Sequence, residues 1–416
     1  MFDYYDLGSM MMMVTESLQL VVLLVCCLTI ITINCANATQ NPNIYSVNPT
    51  IVHSAVSKGA VCLDGSPPAY YFEPGFGDGA ENWIVHLSGG AWCMNVTNCQ
   101  ERATSSNGSS KKMGQLNFQG IHSKNESQNP DFYNWNKVLV AYCDGGSFIG
   151  DSEYIDPTNN STKNLQFRGQ KIFYAVLEEV LEKGLKNAKN AILAGSSAGG
   201  YPAILYCDYF RDSLPIKSRV KCLVDSGYFV HFKNPVLERF WSWRYGGVAA
   251  LQGAAKTLPK SCTSKMKAEL VQTVPLLDCL YAENIQEYTK TPFFLYMSAF
   301  DNIETQYTLG DEKYTTIDEG KGSACLNASL REMRSDFLNA IPKGNDPKHR
   351  GVFIDAMHHH TSLISRWSFE VAIEINNVSA PIAFADWYFD RKYRYLIDEI
   401  HTMPIKNTFK NVTYVH

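Results

Sequence analysis

Ile192-Leu193-Ala194-Gly195-Ser196-Ser197-Ala198-Gly199-Gly200 reads as an apolar strand, a tight turn and the start of a helix. The run from Asn190 to Ala194 is short and apolar, as a strand buried in a parallel sheet should be. The run from Tyr201 to Arg211 has apolar residues at helical spacing and its proline in the first turn. Between them stands Gly-x-Ser-x-Gly, the sequence form of a nucleophile elbow. Such a turn holds the serine oxygen clear of the backbone. A side chain at Gly195 or Gly199 would crowd the turn and the approaching helix. A serine hydroxyl is a weak nucleophile until a base takes its proton, so Ser197 predicts a base elsewhere in the chain. The lysine of a phosphate-cradling loop is missing.

Working outward, strand-like and helical runs alternate. Trp83 to Leu87 is a strand followed by Ser88-Gly89-Gly90-Ala91. Lys137 to Tyr142 is a strand leading to Asp144, and Val220 to Val224 one ending in Asp225. Phe293 to Met297 ends near Asp301, and Gly351 to Ile354 runs toward His358-His359-His360. Gly169 to Leu185 is amphipathic, with Ile172, Val176 and Val180 on its inner side. Val236 to Glu283 reads as a helical cap and Arg366 to Asn376 as a helix. This alternation predicts an α/β fold, with a mostly parallel central sheet flanked by helices. In such sheets the site lies at the carboxyl ends of the strands, where Gly89, Asp144, Ser197, Asp225, Asp301 and His360 all fall.

On α/β-hydrolase-like sheets the order along the chain is serine, acid, histidine. Histidine suits the base because its pKa lies near neutrality. After Ser197, only the triplet His358-His359-His360 closely follows a late buried strand. Spacing does not choose among its members. Three in a row make a poor facial ligand set for zinc, so no metal and no cofactor is expected. The acid is Asp301 by chain order, with Asp225 as the alternative. The oxyanion donors are expected from the amides of Ala198, Gly90 and Ala91.

With 45% apolar and 19% charged residues in 416, the composition is that of a globular protein with a large core. A formal net charge of -4 gives no basic footprint for nucleic acid. Leu20 to Ile31 is an apolar run of signal-peptide length, and Ala36-Asn37-Ala38 offers a cleavage site. No Lys or Arg precedes that run. Residues 1–38 are read as a signal peptide and 39–416 as a single domain, with no membrane role beyond that segment. Sequons such as those at Asn95, Asn107 and Asn125 agree with secretion. Cys62, Cys93, Cys99, Cys143, Cys207, Cys222, Cys262, Cys279 and Cys325 are scattered as structural disulfides are. Their number is odd, so at least one should be free.

Several segments together resemble the pectin acetylesterase/Notum family of secreted serine carboxylesterases. They are Val61 to Tyr70, His86 to Cys93, Tyr142 to Asp151, Phe167-Arg168-Gly169, Gly195 to Gly200, Val220 to Phe229 and Asp386 to Arg391. The resemblance implies an α/β-hydrolase-like carboxylesterase domain with Ser197 as nucleophile and Asp301 as acid. It also implies His360 as base, seven places after Phe353, and the disulfides Cys93–Cys99 and Cys62–Cys143. The substrate it implies is acetylated polysaccharide, pectin by default, met by a monomer outside the cell or in the cell wall. The alternatives are an acylated protein, as for a Notum-like deacylase, and a glycan-binding relative without turnover. The chain departs from plant members of the family at Ser196 and Thr361, where those carry cysteine. It departs again at Ser88 and Ala91 in the glycine turn, and at Ile303 and Glu304 after the acid.

Overall fold

The computed structural model describes residues 45–158, 160–265, 278–310, 317, 323–364, 367 and 373–405. The signal segment read at 1–38 lies outside them. Of the N-terminal unit Met1–Tyr45 only Tyr45 is described, and Ser46–His416 forms a second unit. Its centre is a nine-stranded sheet. In chain order the strands are β1 Pro49–Ile51, β2 Ala69–Glu73, β3 Asn82–Leu87, β4 Asn136–Val140 and β5 Asn190–Ser196. They continue with β6 Arg219–Asp225, β7 Phe293–Ser298, β8 Arg350–Asp355 and β9 Tyr395–Ile397. Across the sheet they run β9-β8-β7-β6-β5-β3-β4-β2-β1.

From β9 through to β4 every neighbouring pair is parallel. The edge pairs β4–β2 and β2–β1 are antiparallel. The chain builds β3 and β4 on one side, then returns to place β5 on the other side of β3. The order therefore reverses between β3 and β5, and that switch point is where an open sheet of this kind leaves a crevice. Side chains alternate between faces as the pleat demands. Val85, Leu87 and Leu193 enter the larger core, while Ile84, Ile192 and Ala194 face the other way. Helix α1 (Gly169–Glu182) covers the first face with Ile172, Phe173 and Val176. A late helix, Ala380–Tyr388, covers the second with Phe384 and Trp387.

Two expectations need correction. The helix after β5 is not continuous: Ser197–Gly199 is one 3-10 turn, Gly200–Leu205 is α-helical, and a new helix starts at Cys207. Of the helix read over Arg366 to Asn376, residues 366 and 368–372 lie outside the described set. The rest is not helical, because Glu374–Ile375 pairs antiparallel with Val378–Ser379. Ile373 and Ile375, alternating about Glu374 before the Asn376-Asn377 turn, favour a hairpin over a helix.

Among the described residues four disulfides close: Cys62–Cys143, Cys93–Cys99, Cys207–Cys222 and Cys262–Cys279. Cys325 is free and exposed. Both bridges implied by the resemblance form, and so does the expected unpaired thiol. Among the described residues no helix is long and apolar enough to cross a membrane.

Candidate active site

The elbow has the geometry its glycines predict. Ser197 has φ +55°, a left-handed conformation costly for a side chain. A Cβ on Gly195 would lie 2.0 Å from Gly199 O, and one on Gly199 would lie 2.2 Å from Leu87 O. Neither distance is possible, so both positions require glycine. The turn sits at the carboxyl end of β5 and leaves Ser197 part-exposed.

His360 and Asp301 meet Ser197 there. His360 Nε2 lies 2.7 Å from Ser197 Oγ, and His360 Nδ1 lies 2.7 Å and 2.9 Å from the Asp301 oxygens. Asp301 follows β7 and caps the helix Asn302–Leu309, accepting the amides of Ile303 and Glu304 at 3.0 and 3.1 Å. That cap fixes the carboxylate, which in turn fixes which ring nitrogen of His360 carries hydrogen. Burial pushes the His360 imidazole down. The charge and hydrogen bond of Asp301, then the charge of Asp225, push it up further, so its pKa ends above the ordinary value.

The other two histidines of the triplet go elsewhere. His358 Nε2 lies 3.0 Å from Thr305 Oγ1. His359 Nε2 lies 3.0 Å and 3.1 Å from the Asp355 oxygens. The alternative acid, Asp225, is buried and accepts backbone amides rather than a ring nitrogen. Beside Asp301, Glu304 is buried. That burial, then the charges of Asp301 and Glu238, hold its carboxyl well above the usual range.

The glycine turn after β3 lies against the serine. A Cβ on Gly89 would stand 2.6 Å from Ser197 Cβ. Arg102 donates to Gly90 O and Tyr142 donates to Ala91 O, each at 2.6 Å. The peptide is planar and trans, so anchoring Gly90 O sends the Ala91 N–H to the opposite side. Ala91 takes up φ +54° to do so. Ala198 opens a helical turn, where N–H groups have no intrahelical partner. Nothing in the sequence marks Arg102 and Tyr142 for this duty, because both reach the turn through tertiary contact.

Ser197, His360, Gly90 and Ala91 line one cavity of about 530 Å³. Asn107, Lys112, Gln115, Asn117 and Gln119 also line it, among apolar side chains such as Met113, Leu116, Ile303 and Ile364. Among the described residues Lys112 has no carboxylate partner, whereas Lys111 is held 3.1 Å from Asp64. Behind Ala91, Trp92 packs on Phe229, Trp241 and Tyr245 with centroids 5.2, 6.1 and 5.5 Å away, all four nearly fully buried.

A parallel sheet with a strained serine at the switch point, hydrogen-bonded to histidine and then aspartate, is the arrangement of α/β-hydrolase-like enzymes. Comparison with known proteins narrows the class. The family model for pectinacetylesterase matches residues 40–410. Pectin acetylesterase 7 of Arabidopsis thaliana is 41% identical over 363 residues, 84% of this chain and 89% of that protein. Palmitoleoyl-protein carboxylesterase notum1a of Danio rerio is 32% identical over 360 residues, 81% of this chain and 65% of that protein. The solved structure of the Wnt deacylase Notum from Drosophila shares the fold, with TM-score 0.69 and 23% identity, over 86% of this chain and 98% of that one. The chain belongs to the pectinacetylesterase family, and both groups of named relatives are carboxylic ester hydrolases.

Proposed function

We propose that this chain is a secreted serine carboxylesterase that releases acetate from acetylated polysaccharide, acting outside the cell and in the cell wall. The observation that carries the reading is the unbroken hydrogen-bonded series from Asp301 through His360 to Ser197, open to the cavity. Ser197 Oγ attacks the ester carbonyl while His360 Nε2 takes its proton. Asp301 stabilises the imidazolium without taking the proton itself. The oxyanion is met by amides of Gly90, Ala91 and Ala198. His360 returns the proton to the departing sugar hydroxyl. Water, deprotonated by the same ring, then splits the acetyl-serine into acetate and free enzyme.

Membership of the pectinacetylesterase family and 41% identity to a pectin acetylesterase support acetate as the acyl group and polysaccharide as its carrier. Asn107, Lys112, Gln115, Asn117 and Gln119 on the cavity lining offer hydrogen-bonding groups and a cation to a hydroxyl-rich, anionic polymer such as acetylated pectin. Four disulfides fit an oxidising compartment. The test is a panel of nitrophenyl esters from acetate to octanoate, together with acetate release from acetylated pectin, on wild type and Ser197→Ala. Preference for acetate, lost in the variant, is expected. Preference for octanoate would turn the reading to protein deacylation. Glycan binding without turnover would end the esterase reading.

A further inference from the structure

Ser196, next to the nucleophile, belongs to a second hydrogen-bonded series. It ends β5, and the parallel register sets it beside Asp225 at the end of β6. Its hydroxyl donates to Asp225 Oδ2 at 2.8 Å. The same oxygen lies 2.9 Å from His86 Nε2, and His86 Nδ1 lies 2.8 Å from His122 Nε2. With the hydroxyl proton committed to the carboxylate, Ser196 Oγ accepts from the His86 Nε2–H. His86 Nδ1 then accepts from the His122 Nε2–H. Burial holds His86 down at about 3. Burial, then the His86 and Lys137 charges, hold His122 well below its ordinary value. Burial disfavours the charged form of both rings, and a neutral imidazole can donate from one nitrogen and accept at the other. Every link points at Asp225, and bonds aligned in this way polarise one another.

From the other side Asp225 accepts the Ser362 amide at 2.9 and 3.0 Å and the Leu363 amide at 3.1 Å. Ser226 Oγ accepts the Thr361 amide at 3.0 Å. Three successive amides directly after His360 are therefore pinned to the end of β6. Thr361 takes φ +53° to allow it, a conformation that a β-branched residue keeps only under external restraint. The donors to Asp225 named above are all N–H or O–H groups, so both of its oxygens act as acceptors.

We propose that Asp225 is a positioning residue for His360. It anchors the segment that carries the base, and is itself oriented by the Ser196 hydroxyl and the His86–His122 pair. This inference rests on the esterase reading above. The groups facing His360 are Asp301 after β7, Asp225 at the end of β6 and the Ser197 hydroxyl after β5. Behind them, Glu304 sits next to Asp301, and His359 is paired with Asp355 on the strand that leads to the loop. Of these, Asp301 and Asp225 are the anions that raise the imidazole. Removing one of the two lowers it, so the base is free at lower pH.

The test uses the full chain, nitrophenyl acetate, a pH series and thermal unfolding, on wild type, Asp225→Asn and Ser196→Ala. Asp225→Asn is expected to lower kcat by about tenfold to a hundredfold with KM little changed, as for a base displaced by a fraction of an ångström. Its acid limb of kcat/KM should also move to lower pH, which loss of packing alone would not produce. Ser196→Ala, which leaves the amide bonds in place, is expected to lower kcat by roughly threefold or more. A folded Asp225→Asn with wild-type kcat and an unmoved limb overturns the proposal. If Asp225→Asn does not fold, Ser196→Ala decides, and an unchanged kcat there overturns it. An inactive wild type overturns the esterase reading as well, whereas an active wild type with variants of undiminished kcat overturns the anchoring role alone.

Discussion

His360 Nε2 stands 2.7 Å from Ser197 Oγ although the two residues are 163 positions apart in the chain. Nothing local holds the pair together. β5 delivers one member, the segment after β8 the other, and Asp301 after β7 sets the ring between them. Ser197→Ala is therefore expected to cut turnover of nitrophenyl acetate by roughly three orders of magnitude or more while leaving unfolding temperature near wild type. Covalent labelling by an organophosphonate should vanish with it. Retained labelling at another serine would remove Ser197 from its role.

The three adjacent histidines are separable. His360→Ala is expected to match Ser197→Ala in lost kcat, since the two act as a unit. His358→Ala gives up a bond to Thr305 and is expected to keep turnover within about tenfold. His359→Ala leaves Asp355 without its buried ring partner, so its cost falls on stability, on the order of 2 kcal/mol. Equal losses of kcat in all three would contradict the assignment to His360.

Glu304 gives a pH dependence whose sign can be worked out. Its pKa is raised well above the 4.5 of an ordinary glutamate, chiefly by burial. The folded state thus holds its proton more tightly than the unfolded chain does. Stability from this group is complete below 4.5 and declines as pH rises above it. Glu304→Gln, a neutral isostere of the protonated form, is expected to flatten that decline and raise unfolding temperature at neutral pH. Lower stability at neutral pH in the variant would show that Glu304 is ionised in the fold.

Gly90 has no room for a side chain, since a Cβ there would sit 2.4 Å from the Tyr142 ring. Gly90→Ala must move either that ring or the turn, and Tyr142 is the group that anchors Ala91 O. Loss of one oxyanion donor typically costs about a hundredfold in kcat. A loss of that order with KM retained is expected, and wild-type kcat would place the donors elsewhere.

Lys112 lines the cavity, and under the proposed polysaccharide reading it supplies a cation to an anionic polymer. Lys112→Met is expected to raise KM for acetylated polygalacturonate severalfold. The difference from wild type should shrink as salt approaches about 1 M, where exposed charges are screened within a few ångströms. A salt-independent effect would mean that the side chain acts by packing.

Much of this was legible in the chain. The elbow carries its own glycines, and Asp301 and His360 each follow an apolar run short enough to be a buried strand. Chain order pointed to Asp301 as the proposed acid, while a family likeness was needed to choose His360 from its neighbours as the proposed base. The Ser196–Asp225 contact was not legible, because it depends on strand register and not on spacing. A slip of one strand by one residue would turn one of the two side chains to the other face and part them. His86 read as one more residue of a strand for the same reason. The short antiparallel edge, Pro49–Ile51 against Ala69–Glu73, escaped notice because three residues beside a proline show no period.

The Cys262–Cys279 bridge spans an interval of the cap that contains residues 266–277. A protease cutting the backbone anywhere between the two sulfurs would leave the fragments covalently joined. Such a nicked molecule would migrate as one species on a gel until a reductant is added, so apparent integrity under oxidising conditions is no measure of an uncut chain.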